Sequence, residues 1–119
     1  MNTTINLSSI VRADQVIGTK VVNSKNEKLG KIYQIVLNKF SGNVNYVVLE
    51  SGSFLGVGGK LIALPWKAFS YSEDEQAFFL NLNEKLLDAA PGFDIDNWPS
   101  FSDPIWEEHV AHYYSKITI

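Results

Sequence analysis

Short apolar runs separated by clusters of turn-forming residues make up the chain from Val16 to Leu82. The runs are VIGTKVVN, LGKIYQIVLN, NVNYVVLES, KLIALPW and AFFLNL. Helical periodicity is absent from this part of the chain, and runs of this length and spacing are typical of an all-β barrel or sandwich. The pattern therefore predicts a mostly β fold in which five or six strands form a small barrel.

The second and third runs are apolar on both faces, unlike strands with one solvated side. In the second run, strict alternation places Ile32 and Val36 on one face and Tyr33 on the other. In the third run, Val48 and Leu49 point to opposite faces. Both runs are therefore predicted to be central strands that are covered on two sides.

Two helices are predicted after the last strand. The segment NEKLLDAAPG begins with a capping residue, Asn83, and ends at Pro91-Gly92, which predicts one short helix. Asp103-Pro104 marks the start of a second helix that runs to about Lys116. Its apolar stripe consists of Ile105, Trp106, Val110 and Tyr113. Such an amphipathic helix needs a surface to pack against.

Composition and charge exclude several classes of function. The chain has 119 residues, enough for one domain, and its net charge of −3 provides no basic face for nucleic acid. It has no cysteine, so disulfides and thiolate sites are impossible. No run approaches the roughly 20 apolar residues that span a bilayer, and the amino terminus lacks a secretory signal. We therefore expect a cytoplasmic protein with no membrane span and no nucleic-acid partner.

The glycine-rich stretch GSFLGVGGKLIALPW suggests a nucleotide-binding loop at first sight. A P-loop requires glycine where Phe54 stands and Ser or Thr where Leu61 stands, and a dinucleotide-binding fingerprint also requires glycine at Leu61. We therefore interpret the stretch as a connection between strands, with Lys60 pointing to solvent. Phe54 and Leu55 at its tip are candidate partner-binding residues, with burial over the end of the barrel as the alternative.

The sequence contains no constellation of catalytic groups, so we expect neither an enzyme nor a cofactor. His109 and His112 lie three residues apart on the second predicted helix, beside Glu107 and Glu108. They suggest a divalent-metal site, but two imidazoles need a third ligand from elsewhere. Solvent-facing or interface histidines are the preferred interpretation, and no metal site is predicted.

Aromatic residues are concentrated near the carboxyl terminus. The residues that we select as candidate partner-binding anchors are Trp98, Trp106, Tyr113 and Tyr114. Large aromatic side chains are enriched at the centres of protein interfaces, but they also pack in cores. Packing of these side chains on their own barrel is therefore the alternative.

The chain from residue 14 to residue 93 resembles the PRC-barrel family. The resemblance lies in Ile17-Gly18, in Leu29-Gly30-Lys31-Ile32, in Tyr46-Val47-Val48, and most strongly in Gly52 to Gly56 followed by Leu64-Pro65-Trp66. The resulting division is an amino-terminal arm (1–13), the PRC-barrel domain (14–93) and an aromatic-rich extension with a helix (94–119). The extension is similar to one seen in some small bacterial members.

The resemblance implies a small β-barrel like the cytoplasmic domain of the photosynthetic reaction-centre H subunit and the carboxy-terminal domain of the ribosome maturation factor. Those barrels act by docking onto other macromolecules. It therefore implies a non-enzymatic adaptor that binds a protein partner. The aromatic anchors of the extension add the expectation that the chain self-associates as a dimer or higher oligomer. The alternatives are a regulatory protein that binds a small ligand or a metal and, less favoured because of the acidic charge, a ribosome- or RNA-associated factor.

Overall fold

The computed structural model describes residues 9–51 and 60–115, and six strands dominate it. The elements are α1 (Ala13–Val16), β1 (Lys20–Val22), β2 (Lys28–Leu37), β3 (Val44–Ser51), β4 (Lys60–Pro65), a 3₁₀ turn (Trp66–Ala68), β5 (Phe69–Ser72), β6 (Ala77–Leu80), α2 (Glu84–Ala89) and α3 (Pro104–Ser115). The six strands form one curled sheet, a half-barrel, in the order β4-β3-β2-β1-β6-β5. The predicted mostly β fold with two helices after the last strand is confirmed.

Neighbouring strands of the sheet are antiparallel, except for β1 and β6, which run parallel. The main core lies on one face of the sheet and is closed by α2. Its buried members are Val21, Leu29, Ile32, Val47, Leu49, Ile62, Leu64, Phe78, Leu80, Leu82, Leu87 and Ala90. Val47 and Leu49 of β3 belong to this core while Val48 lies on the opposite face, as alternation predicts.

Alternation fails in β2, where the prediction for Val36 is wrong. Ile32 pairs with Leu49 and Gln34 pairs with Val48, so Tyr33 is an extra residue in the ladder, as in a β-bulge. The extra residue reverses the faces of the positions that follow it. Val36 therefore lies with Tyr33 on the face opposite Ile32.

Gly30 allows β2 and β3 to approach each other closely. A Cβ atom added at this residue would lie 2.1 Å from the main-chain oxygen of Glu50. Real Cβ atoms do not come that close to a carbonyl oxygen, so a side chain here would push the two strands apart. The glycine is therefore required by the packing of the main chain.

Asn23 ties the turn between β1 and β2 to the end of β6. It is buried, and its side-chain oxygen accepts hydrogen bonds from the main-chain amides of Lys25 and Glu27. Its Nδ2 donates to the carboxylate of Glu27 at 2.7 Å and to the main-chain oxygen of Leu82 at 3.1 Å. The predicted polar turn is thus organised by one buried amide side chain whose donors and acceptor are all used.

The helices begin where the sequence predicts. Asn83 caps α2, since its side-chain oxygen accepts from the Leu86 amide at 2.8 Å. Asp103 accepts from the amide of Ile105 at the start of α3. Ile105 itself is 68% exposed, so its assignment to the packed stripe of α3 is wrong. No helix among the described residues is both long and apolar enough to cross a membrane.

Candidate functional site

The carboxy-terminal extension lies across the outer face of β2, β3 and β4. There it completes a second apolar cluster, here called the extension cluster, whose members are Val48, Leu61, Ala63, Tyr33, Val36, Tyr46, Phe93, Phe101 and Trp106. The ring of Trp106 meets those of Tyr46 and Phe101 edge-on, each with a centroid separation of 5.1 Å. Edge-to-face contacts of this kind fix the relative orientation of the rings. The extension therefore packs on the sheet of its own chain.

A short main-chain bridge fastens the beginning of the extension to the edge of β4. The amide of Leu61 donates to the oxygen of Phe93 at 3.1 Å, and the amide of Phe93 donates to the oxygen of Leu61 at 2.9 Å. The ring of Phe93 then contacts Trp98 at a centroid distance of 5.0 Å. The bridge occupies hydrogen-bonding groups that a sheet edge otherwise presents to solvent.

Lys60 does not point to solvent, and that prediction is wrong. Its Nζ donates to the main-chain oxygens of Asp88 and Ala90, at 2.6 and 2.7 Å. These carbonyls lie at the end of α2, where the helix leaves acceptors unsatisfied and its dipole attracts a cation. Gly92 lies against the lysine stem, because a Cβ at Gly92 would be 2.4 Å from Cγ of Lys60. The lysine therefore fixes the path of the chain into the extension.

The structure places the four described candidate anchors in contact with their own chain. Trp106 belongs to the extension cluster, while Tyr113 and Tyr114 pack against the main core. The hydroxyl of Tyr113 donates to the main-chain oxygen of Leu86 on α2. Trp98 is the most open of the four, with 39% of its surface exposed. Phe54 and Leu55 lie outside the described residues. Partner binding by these residues stays a prediction.

Three tyrosines around the extension have altered acidity. Burial raises the pKa of Tyr46, and the negative charge of Glu107 raises it further. Burial alone raises the pKa of Tyr113 and that of Tyr114. Glu107, at the start of α3, is therefore the charged neighbour that adds to the effect of burial on Tyr46 of β3.

A second surface, missed by the sequence interpretation, lies at the end of the barrel where β2 turns into β3. We call it the hairpin-end surface, and its exposed apolar residues are Leu37, Phe40, Trp66 and Tyr71. Phe40 projects from the turn with 91% of its surface exposed. An open groove joins the turn to the 3₁₀ segment and is lined by Gly42, Asn43, Val44, Asn45, Tyr46, Pro65 and Trp66. Both Trp66 and Tyr71 contact the ring of Phe78, at 5.8 and 5.1 Å.

Lysines flank the turn and the 3₁₀ segment of the hairpin-end surface, whereas the acidic run Glu73-Asp74-Glu75 follows β5, two residues after Tyr71. Lys39 is the one charged residue of the turn sequence NKFSGN, and Lys67 is the one charged residue of PWKAFSYS. Within the described ranges neither lysine forms an ion pair, although the Nζ of Lys39 lies 5.6 Å from the centre of the Phe40 ring. A large aromatic residue inside an otherwise polar turn was the sequence signal for this surface. An exposed apolar group with cationic neighbours is suited to a partner that carries carboxylates.

His109 and His112 line a separate open groove with Pro91, Glu108 and Tyr113. The groove lies between α3 and the chain that follows α2. Among the residues of 9–51 and 60–115, no group of three His, Cys, Asp or Glu side chains is arranged to hold a metal ion. The two histidines therefore lie in one groove, as the helical spacing predicts, but they and Glu108 are not arranged as a set of metal ligands.

The fold and the site define a small β-barrel module with an aromatic extension and an apolar surface at one end. The model of the PRC-barrel domain family matches residues 9–87, so the chain belongs to that family. The match ends within α2, and the extension lies outside it. No curated protein matches this chain.

Proposed function

We propose that this chain is a non-enzymatic protein-interaction module that self-associates and binds a protein partner, as an adaptor does. The observation that carries the proposal is the hairpin-end surface. In the described part of the chain, the main core and the extension cluster enclose most large apolar side chains, whereas Phe40 and its neighbours are left in contact with water. Apolar surface that stays exposed on a folded domain is typical of an interaction site.

The size and chemistry of the exposed residues also support an interaction surface. Tryptophan and tyrosine provide large, rigid contact areas that lose little conformational entropy on binding, and both occur here as Trp66 and Tyr71. The surrounding lysines provide orientation and a faster encounter with an acidic partner rather than most of the affinity. The proposal therefore assigns affinity to the rings and selectivity to Lys39 and Lys67.

A single substitution at the turn tests the proposal. Phe40→Ser removes the most exposed ring without opening the core, and Ile95→Ser is the matched control because Ile95 is an exposed apolar residue of the extension. We expect Phe40→Ser to lose the solution oligomer and the cross-linked partners that the parent chain gives, and we expect Ile95→Ser to keep both. Identical masses and cross-links for the parent and both variants would refute the proposal.

A second candidate function, binding of a small ligand or a metal, is supported by the groove that contains His109 and His112. His109, His112 and Glu108 line it, but no three such side chains in the described residues are arranged to hold a metal, so a metal would need a further donor from outside them. Native mass spectrometry of the purified chain would show a bound ligand as added mass. Addition of zinc should raise the melting temperature of the parent chain and leave that of His109→Ala/His112→Ala unchanged. An unchanged melting temperature for the parent chain would exclude the metal.

A further inference from the structure

The hairpin-end surface meets an acidic apolar surface at Tyr46. Tyr46 lines the groove that contains Trp66, and its ring also contacts Trp106 at the start of α3. The segment from residue 99 to residue 107 contains Asp103 and Glu107 and no lysine or arginine. Between these two acidic residues lies Ile105, which is exposed. We call Asp103, Ile105 and Glu107 the α3-start surface.

The part of the hairpin-end surface around Phe40 and Trp66 is opposite in charge to the α3-start surface, and both have exposed apolar residues. One presents Phe40 and Trp66 beside Lys39 and Lys67, and the other presents Ile105 beside two carboxylates. They lie side by side across Tyr46, and in one copy neither covers the other, since Phe40 is 91% and Ile105 68% exposed. Of the two ion pairs in the described residues, neither involves these lysines or these carboxylates. Because Oδ1 of Asp103 already caps α3, the charges of Lys39, Lys67 and Glu107 are the ones we expect to meet another molecule.

We propose that two copies of this chain pair about a two-fold axis, with the hairpin-end surface of each copy covering the α3-start surface of the other. When two copies of such a patch face each other across a two-fold axis, the cationic half of each copy lies opposite the anionic half of the other. In this dimer both the lysines and the carboxylates of each copy face opposite charges, and no further copy can be added. A contact with an unrelated acidic protein would pair the lysines alone. The inference rests on the proposed function, because it names the surface and the arrangement by which the module self-associates.

The first measurement is the dissociation constant of the full chain by sedimentation equilibrium at low and high salt. Exposed charge pairs are screened at high ionic strength, so the dimer should weaken as salt is added. Each contact occurs twice in a two-fold dimer, so reversing charges in Lys39→Glu/Lys67→Glu, or in Glu107→Lys, should weaken it about tenfold or more. Glu108→Lys is the matched control, since it changes the charge of the same helical turn but lines the other groove.

The decisive measurement mixes the two weakened proteins. In a heterodimer of Lys39→Glu/Lys67→Glu with Glu107→Lys, both contacts again join opposite charges, so equimolar mixing should restore the dimer that neither variant forms alone. A folding defect in either variant cannot produce this rescue. Circular dichroism and melting temperatures close to those of the parent chain confirm that both variants are folded.

Three results would overturn the two-fold pairing. They are a monomeric parent chain at millimolar concentration, a dimer that the charge reversals leave unchanged, and a mixture that stays monomeric. These results are distinguishable from failure of the proposed function. If the parent chain is monomeric but still cross-links to a different protein in a manner that Phe40→Ser abolishes, the interaction module stands and the two-fold pairing is wrong. If Phe40→Ser has no effect either, both proposals are wrong.

Discussion

Replacement of Lys60 by methionine should destabilise the protein and loosen the beginning of the extension. Methionine keeps most of the apolar stem on which Gly92 lies, but it removes the two hydrogen bonds from Nζ to the oxygens of Asp88 and Ala90. A hydrogen bond from a charged donor contributes more than a neutral one, and partial solvent exposure reduces its worth. We therefore expect a loss of about 2 kcal/mol for the pair of bonds, or about 1 kcal/mol each, which solvent exposure places below the roughly 1.5–3 kcal/mol of a buried charged donor.

The assay has a global and a local readout. For a chain of this length, a loss of that size lowers the melting temperature by about 8 °C. Locally, the amides of Leu61 and Phe93, which hold the bridge to β4, should exchange hydrogen faster than in the parent chain. Lys85→Met is the control, because Lys85 is exposed on α2, lies outside the hairpin-end surface and forms no ion pair in the described residues. If Lys60→Met were as stable as Lys85→Met, the assigned role of Lys60 would be wrong.

Two further predictions follow from single contacts. Gly30→Ala should lower the free energy of unfolding by about 3 kcal/mol or more, because its Cβ would meet the Glu50 oxygen. Gly42→Ala should lower it by about 1 kcal/mol, because Gly42 has open space around it and a φ of +83°. Urea unfolding measures both losses, and equal values would contradict the steric argument. Because the pKa of Tyr46 is raised above its unfolded value of about 10, its contribution to stability is complete below pH 10 and is lost as pH rises through the folded pKa. Glu107→Gln should lower the folded pKa of Tyr46 towards its unfolded value, so the alkaline loss of melting temperature should become smaller and be complete at lower pH. Tyr46→Phe should remove this contribution to the loss, and an unchanged profile in both variants would refute the assignment.

The fold was predictable where local rules agree with packing. The two faces of β3 and the cap at Asn83 follow from alternation and capping, and the structure has both. The bulge at Tyr33 was not predictable, because it depends on how β2 fits against β3 and leaves no signal in a run that is apolar on both faces. The role of Lys60 depends on carbonyls that lie 28 and 30 residues further along the chain, which no local pattern reveals.

The sequence also predicted only part of the candidate site. Aromatic density in the sequence located the extension but left open which rings face the sheet. Ile105 and Trp106 are adjacent, and successive helical residues are about 100° apart, so both cannot lie at the centre of one packed stripe. The structure buries Val110 and packs Trp106 on the extension cluster, which turns Ile105 to solvent. Packing against the rest of the chain therefore determines whether the stripe with Ile105 or the stripe with Trp106 is covered, and the sequence pattern alone does not distinguish them.

The position of the extension determines which experiments on function can be interpreted. Val48, Leu61 and Ala63 are buried on the outer face, and Phe93, just before the extension, covers them together with Phe101 and Trp106 of the extension. Removal of residues 93–119 would expose this apolar face, so a truncated chain could aggregate or bind other proteins through a surface that the full chain covers. A changed mass after truncation would then reflect the lost cover rather than a lost interface. Substitutions at Phe40 leave both clusters intact, and for that reason they separate interaction from stability where truncation cannot.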